Sequence, residues 1–393
     1  MYTQLKIVLL FIISICSCQE HENKNNINAN VEKRPVEHNE EKELKFEYSS
    51  SANKLKFNNY FHKLSKYGRF KGVVLVADES GIIFDTAIGF ANYHTRDSLT
   101  VNSSFHLASV SKQFTAMGIM ILKEEGKLNF DDPVEKYIKS WPYKGITIRH
   151  LLNHTSGVAN ILNYIDHFLQ YWDTCQIAEN KHVPFILKHN VRYIENKPGN
   201  RFSYNNTNYV LLATLIEEIT GASYAEFIAK KIFRPLKMNN STVYNYFDET
   251  NLKNRAIGYN TNGSWYSKDE NDIRNGLIGD KGIYSTVRDL YLWDQALYTN
   301  RLVSQKSLDE AFSYSKNNKG QIVNYGFGWR KSKNYEDLVY HFGHWRGFNA
   351  CMIRIYDQHK TVIILNNTNY RHIKSAAEGA LNILYEGNVP PEL

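Results

Sequence analysis

The chain has 393 residues, 42% of them hydrophobic and 13% aromatic, enough apolar material for one large core or two smaller ones, which excludes disorder for most of its length. Its formal charge of +7 is spread thinly and includes no Lys/Arg block. That argues against nucleic-acid binding and only weakly for anionic surroundings.

The opening MYTQLKIVLLFIISICSCQE joins one Lys to an apolar run, Ile7 to Ile15, that is too short to span a bilayer and is followed by small residues. This predicts a secretory signal over residues 1–17. Ile15-Cys16-Ser17-Cys18 resembles the cleavage site of bacterial lipoproteins, which implies a mature chain beginning at an acylated Cys18. Several acyl chains, at about 0.8 kcal/mol per buried CH₂, make a stable anchor. The expected location is the cell envelope, on the periplasmic or surface face of a membrane. Only Cys175 and Cys351 then remain, and two thiols permit a bridge without requiring one. Cys351, in the apolar run NACMIRIY, reads as a small buried hydrophobe.

Residues 18–56 read as a disordered tether. From Gln19 to Lys56 the chain holds eight Glu against seven Lys/Arg and almost no large apolar residue before Leu44. Beyond it, KGVVLVA (71–77), the turn DESG and IIFDTAIGFA (82–91) predict an antiparallel hairpin. The far end supplies YGFGWRK, LVYHFG (338–343), GFNACMIRIYD (347–357) and KTVIILNN (360–367) as further strands, then an amphipathic helix near Arg371 to Tyr385. Between them the pattern is mostly helical, with starts or stops at Asp131/Asp132 before Pro133, at Gly221 and at Thr286. The expected fold is α+β: an antiparallel sheet formed from N- and C-terminal strands, flanked by helices, with an inserted helical region and a site between the two parts.

FHLASVSKQFTAMGIMIL sets Ser109 and Lys112 directly before a long apolar run. A serine must lose its proton before it attacks a carbonyl, and a lysine one turn along the same helical face can take it. Ser111 points elsewhere and suits capping or packing. The Ser-x-x-Lys spacing recurs at Ser51/Lys54 and Ser313/Lys316, but only Ser109 precedes a helix able to bury the pair. His150 and His154 have the i, i+4 spacing of a zinc pair but lack the glutamate of His-Glu-x-x-His, so no metal is expected. No Gly-x-Ser-x-Gly elbow occurs.

Five pieces in order carry a family resemblance: FHLASVSKQFTA, ITIRHLLNHTSGV (146–158), PGNRFSYNNTNYVLLATLIEEITG (198–221), GDKGIYSTVRDLYLW (279–293) and HFGHWRGF (341–348). Over residues 57 to 387 the chain resembles the penicillin-recognising serine hydrolases, in the branch of class C β-lactamases, D-alanyl-D-alanine carboxypeptidases and esterases. The resemblance implies a β-lactamase-like domain over 57–387, a Ser109 acyl-enzyme with Lys112 and Tyr204 as proton carriers, and Asn206 on a substrate amide. It implies no cofactor. The third family motif, usually Lys-Thr-Gly, reads His341-Phe342-Gly343 here. His341 would be charged only in part near neutral pH, which turns the expectation from β-lactamase towards esterase or peptidase. Gly343 allows close backbone approach, and the amides of Ser109 and His344 are the implied oxyanion donors. The His344 side chain is left open between that strand and the pocket wall.

The expected partner is a small-molecule or peptide ester or amide, with attachment to a membrane through the N-terminal lipid. Which carbonyl compound is cleaved stays open, with residues 159–197 and 239–277 expected to shape the pocket. A true β-lactamase, or a penicillin-binding sensor of the same fold with little turnover, are the alternatives.

Overall fold

Apolar runs from the two ends of the chain pair into one six-stranded antiparallel sheet in a computed structural model, which describes residues 46–48, 53–139, 141–165, 177–190, 194–246, 252–262, 265–270, 273–369, 372–386 and 393. The signal, Cys18, Cys175 and the tether up to residue 45 lie outside the described residues. The strands are β1 (Gly72–Asp78), β2 (Gly81–Ile88), β3 (Arg330–Lys331), β4 (Leu338–Trp345), β5 (Phe348–Ile355) and β6 (Lys360–Asn366). Their order across the sheet is β3-β4-β5-β6-β1-β2. Val73 therefore pairs with Leu365 and Ala77 with Thr361, which closes the sheet between its N- and C-terminal parts.

The sheet is covered on both faces, so its central strands are apolar almost without alternation. Val74 and Val76 face Phe57 and Phe61 of helix α1 (Asn53–Lys66), and the last helix lies on the same side. Val73 and Leu75 face the larger core, built with the helical region: α2 (Lys112–Glu124), α3 (Ile148–Leu152), α4 (Val183–Asn190), α5 (Asn206–Thr220), α6 (Tyr224–Ile228), α7 (Val287–Ala296) and α8 (Gln305–Phe312). The last helix, α9, runs Ile373–Leu384.

The expected hairpin, C-terminal strands and final helix are present. Gly221 ends α5 at φ +69, and Thr286 starts α7 by accepting from Asp289 N, as their residue types require. Three expectations are corrected. YGFGWRK supplies a strand of only two residues, Arg330 and Lys331. Pro133 is extended and leads into a three-residue 3₁₀ turn rather than an α-helix, because Asp132 spends its carboxylate on Asn129 N and the Tyr137 hydroxyl, folding the segment back on itself. The tether stops short of residue 56: Tyr48 bridges to Ile82, Glu47 O accepts from Ile82 N, and α1 begins at Asn53.

Candidate active site

Ser109 lies in a 3₁₀ turn, Ala108–Ser111, immediately before α2. Ala108 sits at φ +48, left-handed backbone that costs a non-glycine residue roughly 1–2 kcal/mol. The turn is held in that shape by His106 Nδ1, which accepts from Ala108 N at 3.0 Å, and by Leu107 N donating to Ile283 O at 2.8 Å. Burial, aided by the Lys281 and Arg255 cations, pushes the His106 imidazole down to about 3, so it stays a neutral acceptor. Ser111 caps nothing. Its Oγ accepts from Ile283 N at 3.2 Å and ties the turn to the neighbouring strand.

In a 3₁₀ turn residues three apart eclipse one another, which brings Lys112 back over Ser109. Lys112 is fully buried and its Nζ lies 3.1 Å from Ser109 Oγ. Nζ also donates to Asn206 Oδ1 and to the Asp280 carbonyl oxygen, each at 2.8 Å. Those two oxygens can only accept, so two amine hydrogens are spoken for and the third position faces the serine hydroxyl. Nζ and the Ser109 hydroxyl thus face each other along the line a proton must travel between them.

Tyr204 comes from the loop before α5. Its ring centre is 5.1 Å from Lys112 Nζ, and its hydroxyl is buried without a hydrogen-bond partner among the described residues. The structure thus gathers Ser109, Lys112, Tyr204 and Asn206 at one point. The Ser-x-x-Lys copy at Ser313/Lys316 falls elsewhere: Ser313 Oγ donates to Asp309 O and Lys316 is exposed. Ser51 lies outside the described residues.

Strand β4 forms the other wall. A Cβ on Gly343 would stand 2.3 Å from Leu107 O and 3.1 Å from Ser109 N, so only glycine lets the strand press against the nucleophile turn. His341 departs from its expected role. It is 1% exposed, its Nδ1 donates to Phe342 O at 2.7 Å and its Nε2 accepts from the Tyr325 hydroxyl at 3.1 Å, which leaves no ring edge for a substrate. Burial first, then the Lys112 and Arg330 cations, holds its imidazole well below the usual histidine range. It is therefore neutral, not partly charged. The His344 side chain is exposed, meets Asn349 Oδ1 through Nδ1 at 3.0 Å, and lines a cavity of about 570 Å³ with Asn260, Asp269, Arg346, Asn349 and Asn369.

Sequence reasoning missed two residues here. Arg330, on β3, carries its guanidinium 5.0 Å from the Tyr204 ring centre and makes no ion pair among the described residues. His154 is buried beside the same ring, 4.5 Å centre to centre. Its partner in the zinc spacing, His150, instead accepts from Thr147 N through Nδ1 as part of a helix cap. No local pattern marks Arg330, whose place follows from the pairing of β3 with Tyr340 of β4.

Residues 57–385 match the protein family described as Beta-lactamase. The chain belongs to that β-lactamase family of serine hydrolases. A relative, a penicillin-binding protein of Bacillus subtilis, is 38% identical over 338 residues, 82% of this chain and 74% of that protein. The chain spans less than two thirds of the length of further curated relatives, 64% and 63% of two that are 29% and 26% identical. Among solved structures, the octameric penicillin-binding protein homologue from Pyrococcus abyssi superposes with a TM-score of 0.73 at 27% identity, covering 85% of this chain and 77% of that one. The D-amino acid amidase of Ochrobactrum anthropi shares the fold, with a TM-score of 0.69 at 20% identity over 85% and 99% of the two chains.

Proposed function

We propose that the chain is an envelope serine hydrolase, anchored by lipid at Cys18, that cleaves ester or amide bonds through an acyl-enzyme on Ser109. The observation that carries this reading is the position of Lys112 Nζ, with two carbonyl-type acceptors satisfied and the Ser109 hydroxyl in its third direction. Lys112 takes the Ser109 proton as Oγ bonds to the substrate carbonyl carbon. The amides of Ser109 and His344 receive the oxyanion, and Asn206 offers its Nδ2 to the substrate, its Oδ1 being held by Lys112. On collapse the bond to the leaving group breaks, and Tyr204 passes that group the proton from Lys112. Water then attacks the acyl carbon as its proton passes to Tyr204 and the phenol's own proton passes to Lys112; the bond to Oγ breaks, Lys112 returns that proton to Ser109, and the acid is released.

A neutral, enclosed His341 in place of a lysine favours esters and amides over β-lactams. Similarity to a penicillin-binding protein favours a second reading, a penicillin-acylated sensor with little turnover. Ser109→Ala decides whether the nucleophile is assigned correctly: hydrolysis and fluorophosphonate labelling should both vanish, and survival of either overturns the assignment. Intact-mass and rate measurements on a panel of esters, D-amino-acid amides and β-lactams separate the two readings. Steady release of product supports the hydrolase, and a burst equal to the enzyme concentration supports the sensor.

A further inference from the structure

The Tyr204 hydroxyl has no hydrogen-bond partner among the described residues, so the direction of the phenol is set from its backbone. Both neighbours of Tyr204 hang on one residue. Ser203 N donates to His154 O at 2.8 Å, and Asn205 N donates to His154 Nδ1 at 3.2 Å. Asn208 Nδ2 gives Nδ1 a second bond at 3.0 Å, while Asn208 Oδ1 accepts from Ser156 Oγ at 2.6 Å. A nitrogen accepting two bonds carries no proton, so the imidazole is the neutral Nε2–H form. His154 itself stands at φ +58, wholly buried, with the Tyr204 and Tyr325 rings at 4.5 and 4.6 Å from its own. Residues with a side chain rarely accept that backbone without a reason.

We propose that His154 is the positioning residue of Tyr204, a clamp on both sides of the phenol that aims its hydroxyl along the proton path between Lys112 and the leaving group. The inference rests on the reading of Ser109, Lys112 and Tyr204 as acyl-transfer machinery. The groups facing His154 are Lys112, His341, Arg330 and the phenols of Tyr204, Tyr209 and Tyr325. Burial and the cations among them keep the imidazole well below the usual histidine range, so the clamp does not open in the neutral pH range.

The test compares two substrates with the same acyl group on the purified protein, a nitrophenyl ester, whose leaving group departs unprotonated, and an ethyl ester, whose leaving group needs a proton. Because kcat/KM reports acylation and not the deacylation step the two esters share, Tyr204→Phe should lower kcat/KM on the ethyl ester about 100-fold, and on the nitrophenyl ester only a few-fold. His154→Leu should show the same split, roughly 10- to 30-fold on the ethyl ester, with KM changed less than about 3-fold. His154→Asn keeps an acceptor near the Nδ1 position and tolerates positive φ, so it should recover to within about 3-fold of wild type. The double variant should be no worse than Tyr204→Phe alone, since residues acting as a unit are not additive. Equal losses on both esters, or a double variant that loses the product of the two single effects, overturns the clamp. Should His154→Leu not fold, His154→Gln takes its place. Its longer side chain displaces the acceptor, so the split must appear there while His154→Asn stays near wild type. A Tyr204→Phe variant without any split overturns the acyl-transfer reading of Tyr204 instead.

Discussion

The Arg330 guanidinium stands 5.0 Å from the centre of the Tyr204 ring, and no carboxylate of the described residues pairs with it. A partly buried cation held against an aromatic face beside a nucleophile is placed to receive an anion from outside the chain. Arg330→Gln should therefore raise KM about 10-fold for esters bearing a free carboxylate, near the low end of what a charged hydrogen bond contributes. The matching neutral methyl esters should change less than about 2-fold. Equal effects on the two series would show that Arg330 acts through Tyr204 and not on the substrate.

Lys112 is assigned as a base, and a base needs a lone pair. Lys112→Arg keeps a positive charge and loses that lone pair, because guanidinium stays protonated in proteins. Turnover should fall about 1,000-fold, within the range for lost general base catalysis. An arginine variant retaining a tenth of the rate would make Lys112 an electrostatic element only.

Gly343 separates β4 from the nucleophile turn by less than a methyl group. In Gly343→Ala the new Cβ meets Leu107 O at 2.3 Å, a backbone atom that can yield only by moving Ser109. The expected loss in kcat/KM is about 100-fold, the scale set by a displacement near 1 Å. The thermal unfolding curve should record a cost of about 1–3 kcal/mol from overpacking. Wild-type kinetics in this variant would mean that the strand and the turn slide freely.

His106 links the site to pH. Its folded value of about 3 lies below the ordinary histidine value of 6.5, so the unfolded chain binds more protons as pH falls. The stability this residue allows is complete above pH 6.5 and is lost as pH drops towards 3, at about 1.4 kcal/mol per pH unit. Asp289, raised by burial to about 6, titrates in the same window with the opposite sign, so the informative quantity is a difference between two proteins. His106→Gln, whose amide oxygen can accept from Ala108 N, should lose about 2 kcal/mol less than wild type between pH 7.5 and 5. Urea unfolding at the two pH values measures this, and parallel losses would show that His106 is not held neutral.

The parts of the fold that the sequence discloses are those written in local patterns. The β1–β2 hairpin follows from two apolar runs around DESG, the Gly221 stop from a left-handed cap, and the Thr286 start from a hydroxyl that reaches Asp289 N. Ser109, Lys112 and Tyr204 are legible because each stands at a fixed offset from the start of a helix. Arg330 is not, since its place over Tyr204 depends on a two-residue strand registered against Tyr340. The charge of His341 is not either. Its neutrality comes from enclosure by Tyr325, Lys112 and Arg330, which lie far from it or on other elements. The Asp131/Asp132 pair misleads for a related reason, because Asp132 finds its partners within five residues on either side before a helix can form.

The pairing of Val73 with Leu365 also sets when activity can exist. Ser109 is synthesised early, but the wall at Gly343 and the strand that locks the sheet come near the end. Contacts so distant in sequence form late in folding, after a large loss of chain entropy. A chain truncated before β6 would keep the residues that hold Ser109 and Lys112, among them Ile283, Asn206 and Asp280, and lose the strand that joins β5 to β1.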